Sequence, residues 1–459
     1  MTEMITEFSV TGSKVVVVGA GRSGTAAAEL LVRRGASVTL SEAREVIDDS
    51  ENLHEAGVKL ELGGHQSKTF DRAELIVLSP GVSPQIPVIA QARKSQIPVI
   101  SEVELAARWL RGRIVAITGT KGKSTTATLI GRMIKSSGKR VIVGGNIGDA
   151  LSNHVDESSS DVIHVVEVSS FQLELTQTFH PWIAVFLNLS HDHLDRHKDF
   201  HEYASAKARI FANQTNDDSM VINADDSQVL EIARRGRARL LRFALTSNIN
   251  EGIIVSDHAI VHRSVDGDRS LFPLEELRVS GQHFLSDVLA ASAVGVIIGV
   301  SRDAMRHAVG TFEGLEHAIE PAGEIQGVRF INDSKATNFL AMRASIECVD
   351  RDLVLIMGGR FKGGEFSALT PLLVARSAVV VAIGEARPRI REQLGTKVEV
   401  KEADTMAEAV RVAFAESKPG GVVLLAPGCA SLDMFANYEE RGRVFKEEIE
   451  RLSQNISSR

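Results

Sequence analysis

The chain has 459 residues, 44% apolar and 24% charged, the proportions of an ordinary globular protein, and its length implies about three domains. A formal net charge of −7 argues against a broad nucleic-acid or membrane-surface role but leaves room for a local phosphate pocket. Two cysteines, Cys348 and Cys429, lie far apart in the sequence, so neither a disulfide framework nor a thiolate zinc site is expected, and a reducing compartment fits.

The first residues, MTEMITEFSVTGSK, lack a basic start followed by an apolar stretch, and the apolar run near 290–300 is too short to span a bilayer. A cytoplasmic, single-chain protein with no membrane or nucleic-acid partner is the expectation. Apolar β-branched runs then alternate with helical patterns, the signature of parallel α/β sheets buried on both faces. Strands are predicted at Lys14–Val18, Ser37–Leu40, Leu75–Leu78, Ile114–Ile117, Val141–Val143, Val162–Val168 and Ile183–Leu187. Further strands are predicted at Met220–Ile222, Val328–Ile331, Val354–Met357, Val379–Ile383 and Val422–Leu425. Breaks near Ser101 and Gly314, the second after a helical stretch at Leu285–Val309, divide the chain into segments 1–102, 103–314 and 315–459.

The first strand runs into Gly19-Ala20-Gly21-Arg22-Ser23-Gly24 and an alanine-rich helix. This GxGxxG loop lets backbone and helix N–H groups approach a diphosphate. Glu42 follows the next strand, where a ribose-binding acid often sits, and Ser79 and Gly81 follow the Leu75–Leu78 strand. NAD(P), another nucleotide diphosphate such as a UDP-sugar, and an empty structural turn all remain open here.

The Ile114–Ile117 strand enters Thr118-Gly119-Thr120-Lys121-Gly122-Lys123-Ser124-Thr125, followed by a helix predicted at Thr126–Ser136. Ile117 stands where the strict P-loop pattern has glycine, yet the working parts are present: amides to cradle phosphates, Lys123 to reach them and Ser124 to hold Mg²⁺. ATP is therefore favoured over a redox cofactor.

Two more strand ends carry Glu167 and the run His191-Asp192-His193-Leu194-Asp195. A glutamate suits Mg²⁺, while His-x-His-x-Asp also suggests a binuclear zinc site. Against zinc, Arg196 occupies the place of the third histidine, which moves to His197. Lys207, in the helical segment His201–Asn213, reads by itself as a solvated helix residue.

These motifs resemble the Mur ligase family, whose ATP loop has this shortened form, over nearly the whole chain. The resemblance implies three α/β domains, each a mainly parallel sheet with helices: Rossmann-like at the N-terminus for a UDP-linked substrate, P-loop-ATPase-like in the centre, Rossmann-like at the C-terminus for an amino acid. It implies that Glu167, His193 and Ser124 hold metal, with two Mg²⁺ ions, and that Lys207 is carbamylated and faces the second ion. Asn146, Ser169 and Gln172 would serve the uridine-linked substrate, with the second metal as the alternative for Asn146 and Gln172.

The run Asp333-Ser334-Lys335-Ala336-Thr337-Asn338 resembles the D-glutamate-adding branch of that family. Asp333 and Lys335 would then serve the nucleotide, and Thr337, Lys362, Ser431, Leu432 and Tyr438 the D-glutamate. The implied reaction joins D-glutamate to UDP-N-acetylmuramoyl-L-alanine. ATP phosphorylates the substrate carboxylate, and the amine then attacks the acyl phosphate, with domain closure bringing the reactants together.

Three positions on the nucleotide side depart from the family pattern. Its usual HNxxN is His283-Phe284-Leu285-Ser286-Asp287 here, although Phe284 can still stack on a base, and Ala318 replaces the arginine expected after His317. Phe361 beside Lys362 is also unexpected. A catalytically weakened ligase-like regulator and an NAD(P)-dependent oxidoreductase remain as rival readings.

Overall fold

The structure is a computed structural model that describes residues 8–47, 50–190, 196–279, 281–361 and 364–457. It divides into two compact units, residues 1–313 and 314–459.

The first unit contains two sheets. Strands β1 (Lys14–Val18), β2 (Ser37–Ser41), β3 (Lys59–Glu61), β4 (Leu75–Leu78) and β5 (Val99–Ser101) pair in the order β3-β2-β1-β4-β5. All four pairings are parallel. The valine run of β1 is apolar throughout because both of its faces are covered. Val15 and Val17 enter one core and Val16 and Val18 the other, as the two-residue period of a strand requires. Between β1 and β2 the helix Arg22–Arg33 buries Ala26, Ala27, Ala28, Leu30 and Leu31.

The second sheet has nine strands: β6 (Arg113–Thr118), β7 (Arg140–Gly145), β8 (Val162–Glu167), β9 (Ile183–Phe186), β10 (Ser219–Asn223), β11 (Arg239–Ala244), β12 (Gly252–Ser256), β13 (Ala259–Ser264) and β14 (Gly267–Pro273). Their order is β14-β13-β12-β11-β10-β9-β6-β8-β7, parallel from β7 to β12 and antiparallel from β12 to β14. The antiparallel extension was absent from the predicted strands. Its tight turn is made by Asp257 and His258 at φ 48° and 57°, a primed hairpin turn built without the usual Asn-Gly pair. Buried Glu104 fastens this sheet to the first. Its carboxylate accepts from Arg108 Nε at 2.9 Å, from the amides of Gln177, Thr178 and Phe179, and from the Thr178 hydroxyl.

The helical stretch predicted at Leu285–Val309 is two helices, Gln282–Ile298 and Arg302–Gly310. Gly299 ends the first in a left-handed C-cap at φ 76°, a conformation that favours glycine. The helix predicted to start at Thr126 starts at Lys123, so the phosphate-loop lysine and serine form its first turn.

The second unit holds β15 (Glu320–Ile325), β16 (Val328–Asn332), β17 (Leu353–Gly358), β18 (Val379–Ile383), β19 (Glu399–Glu402) and β20 (Val422–Leu425), ordered β15-β16-β20-β17-β18-β19. Only the β15–β16 pairing is antiparallel among these strands. Leu353, Leu355 and Met357 of β17 face one core, Val354 and Ile356 the other. Among the described residues no helix is long and apolar enough to cross a membrane.

Candidate active site

Each sheet reverses strand order at one point, β1/β4, β8/β6/β9 and β16/β20/β17, and open α/β sheets bind ligands beyond the carboxyl ends of strands at such points. Most of the described residues predicted to be functional follow strands at these three edges.

On the first sheet, Gly19, Gly21, Arg22, Ser23 and Gly24 follow β1, Glu42 follows β2, and Ser79 and Gly81 follow β4. Gly24 fits because a Cβ there would lie 1.8 Å from the Gly19 carbonyl oxygen, whereas one on Gly21 would meet nothing within 4 Å. Ser79 Oγ donates to that carbonyl at 2.9 Å. The carboxylate of Glu42 is taken up by the turn itself: it accepts from the Ala20 amide at 2.7 Å, the Arg44 amide at 3.0 Å and Arg44 Nη2 at 3.2 Å. Burial alone would raise its pKa, but the hydrogen bonds and charge of Arg44 and the Ala20 amide outweigh that and hold it at about 2.

On the second sheet, residues 119–125 form the loop between β6 and the Lys123–Ser136 helix. Gly119 and Gly122 adopt φ 155° and 84°, which leaves the loop amides free of Cβ atoms where they turn. Lys123 Nζ folds back to the carbonyls of Gly119 at 3.0 Å and Thr120 at 2.9 Å. Glu167, at the end of β8 and 2% exposed, accepts from Ser124 Oγ at 2.7 Å and Asn146 Nδ2 at 2.8 Å. Two hard oxygen donors, a hydroxyl and a carboxylate, thus meet beside the phosphate loop. That is the kind of donor pair Mg²⁺ uses when phosphates and waters complete its shell. Among the described residues no group of three or more His, Cys, Asp or Glu is arranged to hold a metal.

Lys207 is not the solvated residue its helical setting suggested. It is 2% exposed, and its ammonium lies 2.7 Å from the Gly119 carbonyl, 3.4 Å from Thr118 Oγ1 and over the Tyr203 ring at 4.9 Å. Ser169 and Gln172 form a capping box on the helix Ser170–Glu174. The Gln172 carbonyl oxygen is used there, while its Nε2 is buried without a hydrogen-bond partner. His193 lies outside the described residues, as does the whole run from His191 to Asp195.

Three residues here carried no predicted role. Asn188, just past β9, accepts the amides of Thr120 and Lys121 at 3.0 and 2.8 Å and donates to the Lys121 carbonyl at 3.1 Å. Tyr203 pairs its hydroxyl with Thr120 Oγ1 at 3.1 Å. Its position four residues before Lys207, on the same helix face, was the signal available in sequence. Asp287 packs on Gly122. Phe284 is stacked on Phe312, with ring centroids 5.5 Å apart and planes 1° from parallel, and is buried there instead of being offered to a base.

In the second unit, Asp333, Lys335 and Thr337 follow β16, Ser431 and Leu432 follow β20, and Tyr438 opens the helix Tyr438–Ser457. Asp333 is buried and accepts from the Ser345 hydroxyl. Burial pushes its carboxyl above the usual range, against the opposing pull of Ser345 and the charge of Lys335. Arg441 ties the two loops together and gave no sequence signal. Its guanidinium, 1% exposed, donates to Ser334 Oγ at 2.9 Å, the Ser334 carbonyl at 2.8 Å and the Cys429 carbonyl at 3.1 Å. Ser431 is buried, Leu432 is 55% exposed, and Tyr438 meets His317 edge-on at 6.4 Å. Lys362 lies outside the described residues.

A glycine-lysine loop with a carboxylate beside its serine, at the switch point of a parallel sheet, is the arrangement of a phosphate-loop protein. Family models match three consecutive parts: the Mur ligase MurD-like N-terminal domain over residues 13–101, the Mur ligase middle domain over 117–295 and the Mur ligase glutamate ligase domain over 319–429. The UDP-N-acetylmuramoylalanine--D-glutamate ligase of Acidobacterium capsulatum is 45% identical, covering 95% of this chain and 96% of that protein. The protein of the same name from Koribacter versatilis is 41% identical, over 97% of this chain and 99% of its own length. The chain belongs to the Mur ligase family. Among solved structures, UDP-N-acetylmuramate-alanine ligase from Thermotoga maritima superposes with a TM-score of 0.58 at 18% identity, covering 96% of this chain and 99% of that one. A pseudomurein peptide ligase type C from Methanothermus fervidus gives 0.57 at 19%, covering 96% and 100%. Both share the fold.

Proposed function

We propose that this chain is an ATP-dependent, ADP-forming ligase that adds D-glutamate to UDP-N-acetylmuramoyl-L-alanine in the cytoplasm, a step in building peptidoglycan precursors. The observation that carries the reading is the meeting of Lys123, Ser124 and Glu167 at the end of β6 and β8, in a chain whose near-full-length relatives bear that ligase name. In this reading residues 1–102 hold the UDP-linked substrate, 103–314 the ATP and 315–459 the amino acid.

An amide does not form directly from a carboxylate and an ammonium in water, so the acid has to be activated. The loop amides from Gly119 to Thr125 bind the triphosphate, and Lys123 exchanges its two carbonyl partners for phosphate oxygens. The substrate carboxylate attacks the γ-phosphorus and ADP leaves. The neutral D-glutamate amine then adds to the acyl phosphate carbon, and phosphate departs as the amide forms. Ser124 and Glu167, with His193, would hold Mg²⁺, which would supply charge neutralisation of the phosphates. Gly19, Gly21, Arg22, Ser23 and Gly24 present amides and a cation to the UDP diphosphate, with Glu42 and Ser79 fixing their turn. Asn146, Ser169 and Gln172 serve the sugar-peptide end. Asp333 and Lys335 assist with the nucleotide, and Thr337, Lys362, Ser431, Leu432 and Tyr438 form the amino-acid pocket. Carbamylation of Lys207 would turn a buried cation beside Gly119 into an anion suited to a second Mg²⁺.

The test is one assay with purified protein, ATP, Mg²⁺, UDP-N-acetylmuramoyl-L-alanine and either D- or L-glutamate. Phosphate release with D-glutamate alone is the expected result. Nucleotide binding without turnover would favour a ligase-like regulator instead, and the reading fails outright if Lys123→Ala turns over like the parent.

A further inference from the structure

Beneath the phosphate loop, unit one buries an acid for which the reaction has no use. Asp287 belongs to the helix Gln282–Ile298, is 7% exposed and accepts from Thr126 Oγ1 at 3.3 Å. Its carboxyl lies directly against the loop: a Cβ on Gly122 would stand 2.1 Å from Oδ1 and 3.1 Å from Oδ2. Gly122 caps the helix whose first residue is Lys123. The group therefore touches the turn that faces the polyphosphate in the proposed function, on which this inference rests.

We propose that Asp287 is a charge gate of the nucleotide site: uncharged, it fills the space under Gly122; ionised, it sets an anion against the loop and weakens binding of a nucleotide polyphosphate. Two opposite demands meet at this carboxyl. Shape favours keeping it, since its oxygens occupy the space that the missing side chain of Gly122 leaves. Electrostatics oppose it, since an anion so placed works against the loop amides and helix N-terminus that attract phosphate. The surroundings lean toward the uncharged state. Burial drives its pKa from 3.8 up to about 8, against the lowering effects of the Thr126 hydroxyl and the Lys123 ammonium. Among the described residues Lys123 is the charged group acting on it, and that cation will be drawn to phosphate when nucleotide binds, which favours the protonated acid further. Asparagine has the same shape and cannot ionise, so Asp287→Asn isolates the charge. Asp287 acts through the loop and is a positioning residue.

The experiment measures ATP affinity by direct titration calorimetry and KM for ATP by turnover, at pH 6.5 and pH 9, with KM for D-glutamate as the internal comparison. Parent protein should lose about tenfold in ATP affinity over that range, while Asp287→Asn holds its affinity and is the tighter binder at pH 9. Thr126→Val, which deletes the hydroxyl that steadies the ionised form, should move the midpoint of the parent's loss to higher pH. An equal pH dependence in parent and Asp287→Asn overturns the gate, as does a midpoint in Thr126→Val that stays put or falls. Should Asp287→Asn not fold, the Thr126→Val midpoint decides alone. Calorimetry needs no turnover, so a chain that binds ATP with this pH profile but forms no product would refute the ligase reading and leave the gate standing.

Discussion

Replacing Glu42 by glutamine keeps the size of the side chain that pins the first glycine loop but removes its charge. The carboxylate is held from its ordinary 4.5 to about 2, and that difference corresponds to about 3 kcal/mol of folding free energy. Its partner Arg44 is 56% exposed while the carboxylate itself is 11% exposed, so solvent screening reduces the expected loss to about 2 kcal/mol. The sign follows from the lowered pKa: the contribution is complete above pH 4.5 and disappears as pH falls through 4.5 toward 2. Trp109 and Trp182 are the two tryptophans of the chain, and both lie in the first unit, so their fluorescence reports its unfolding alone. Urea denaturation of Glu42→Gln should give a deficit of about 2 kcal/mol at pH 7 that shrinks at pH 3. With Ala20 and Arg44 less firmly held, KM for the UDP-linked substrate should rise while kcat changes little. A variant as stable as the parent at pH 7, or a deficit that widens in acid, would refute the idea that the anionic form braces the turn.

Glu167→Gln keeps an oxygen for Ser124 and Asn146 but surrenders the negative charge, so turnover should fall by about 100-fold, and the Mg²⁺ concentration for half-maximal rate should rise; an unchanged Mg²⁺ requirement would count against a metal-binding role. Lys207→Ala should be inactive and regain part of its rate with formate or acetate if a carbamate is the working group. Failure of every short carboxylate to restore turnover argues for the plain ammonium. Arg441→Met strands the Ser334 and Cys429 carbonyls in a buried setting, while Ser334 Oγ keeps its bond to the Tyr438 carbonyl, costing about 3 kcal/mol. Calorimetry should show a destabilised second unit, and KM for D-glutamate should rise more than KM for the UDP-linked substrate. Equal rises would mean that the arginine does not position the amino-acid loops.

The chain's α/β architecture was legible because its strands are buried on both faces: Val15–Val18, Val354–Met357 and Val422–Leu425 read as unbroken apolar runs. Such runs leave a sequence few alternatives. The glycine loops were legible for a related reason, since Gly24 and Gly122 stand where any side chain would strike a carbonyl or a carboxyl. The hairpins from Gly252 to Pro273 were only partly legible: the Asp257-His258 turn lacks the usual glycine and their faces mix apolar with polar residues, whereas Asp266-Gly267 at the second turn was a signal the strand pattern did not take up. Residue chemistry proposed Lys123, Ser124 and Glu167 as partners, but 43 positions separate the last two, and only the parallel pairing of β6 with β8 sets their oxygens 2.7 Å apart. The same holds for Lys207, a polar helix residue by sequence, which the fold turns inward onto Gly119. Asp287 and Arg441 show the limit most clearly. A buried charge is defined by what surrounds it, and their surroundings come from segments more than a hundred residues away, which local pattern does not encode.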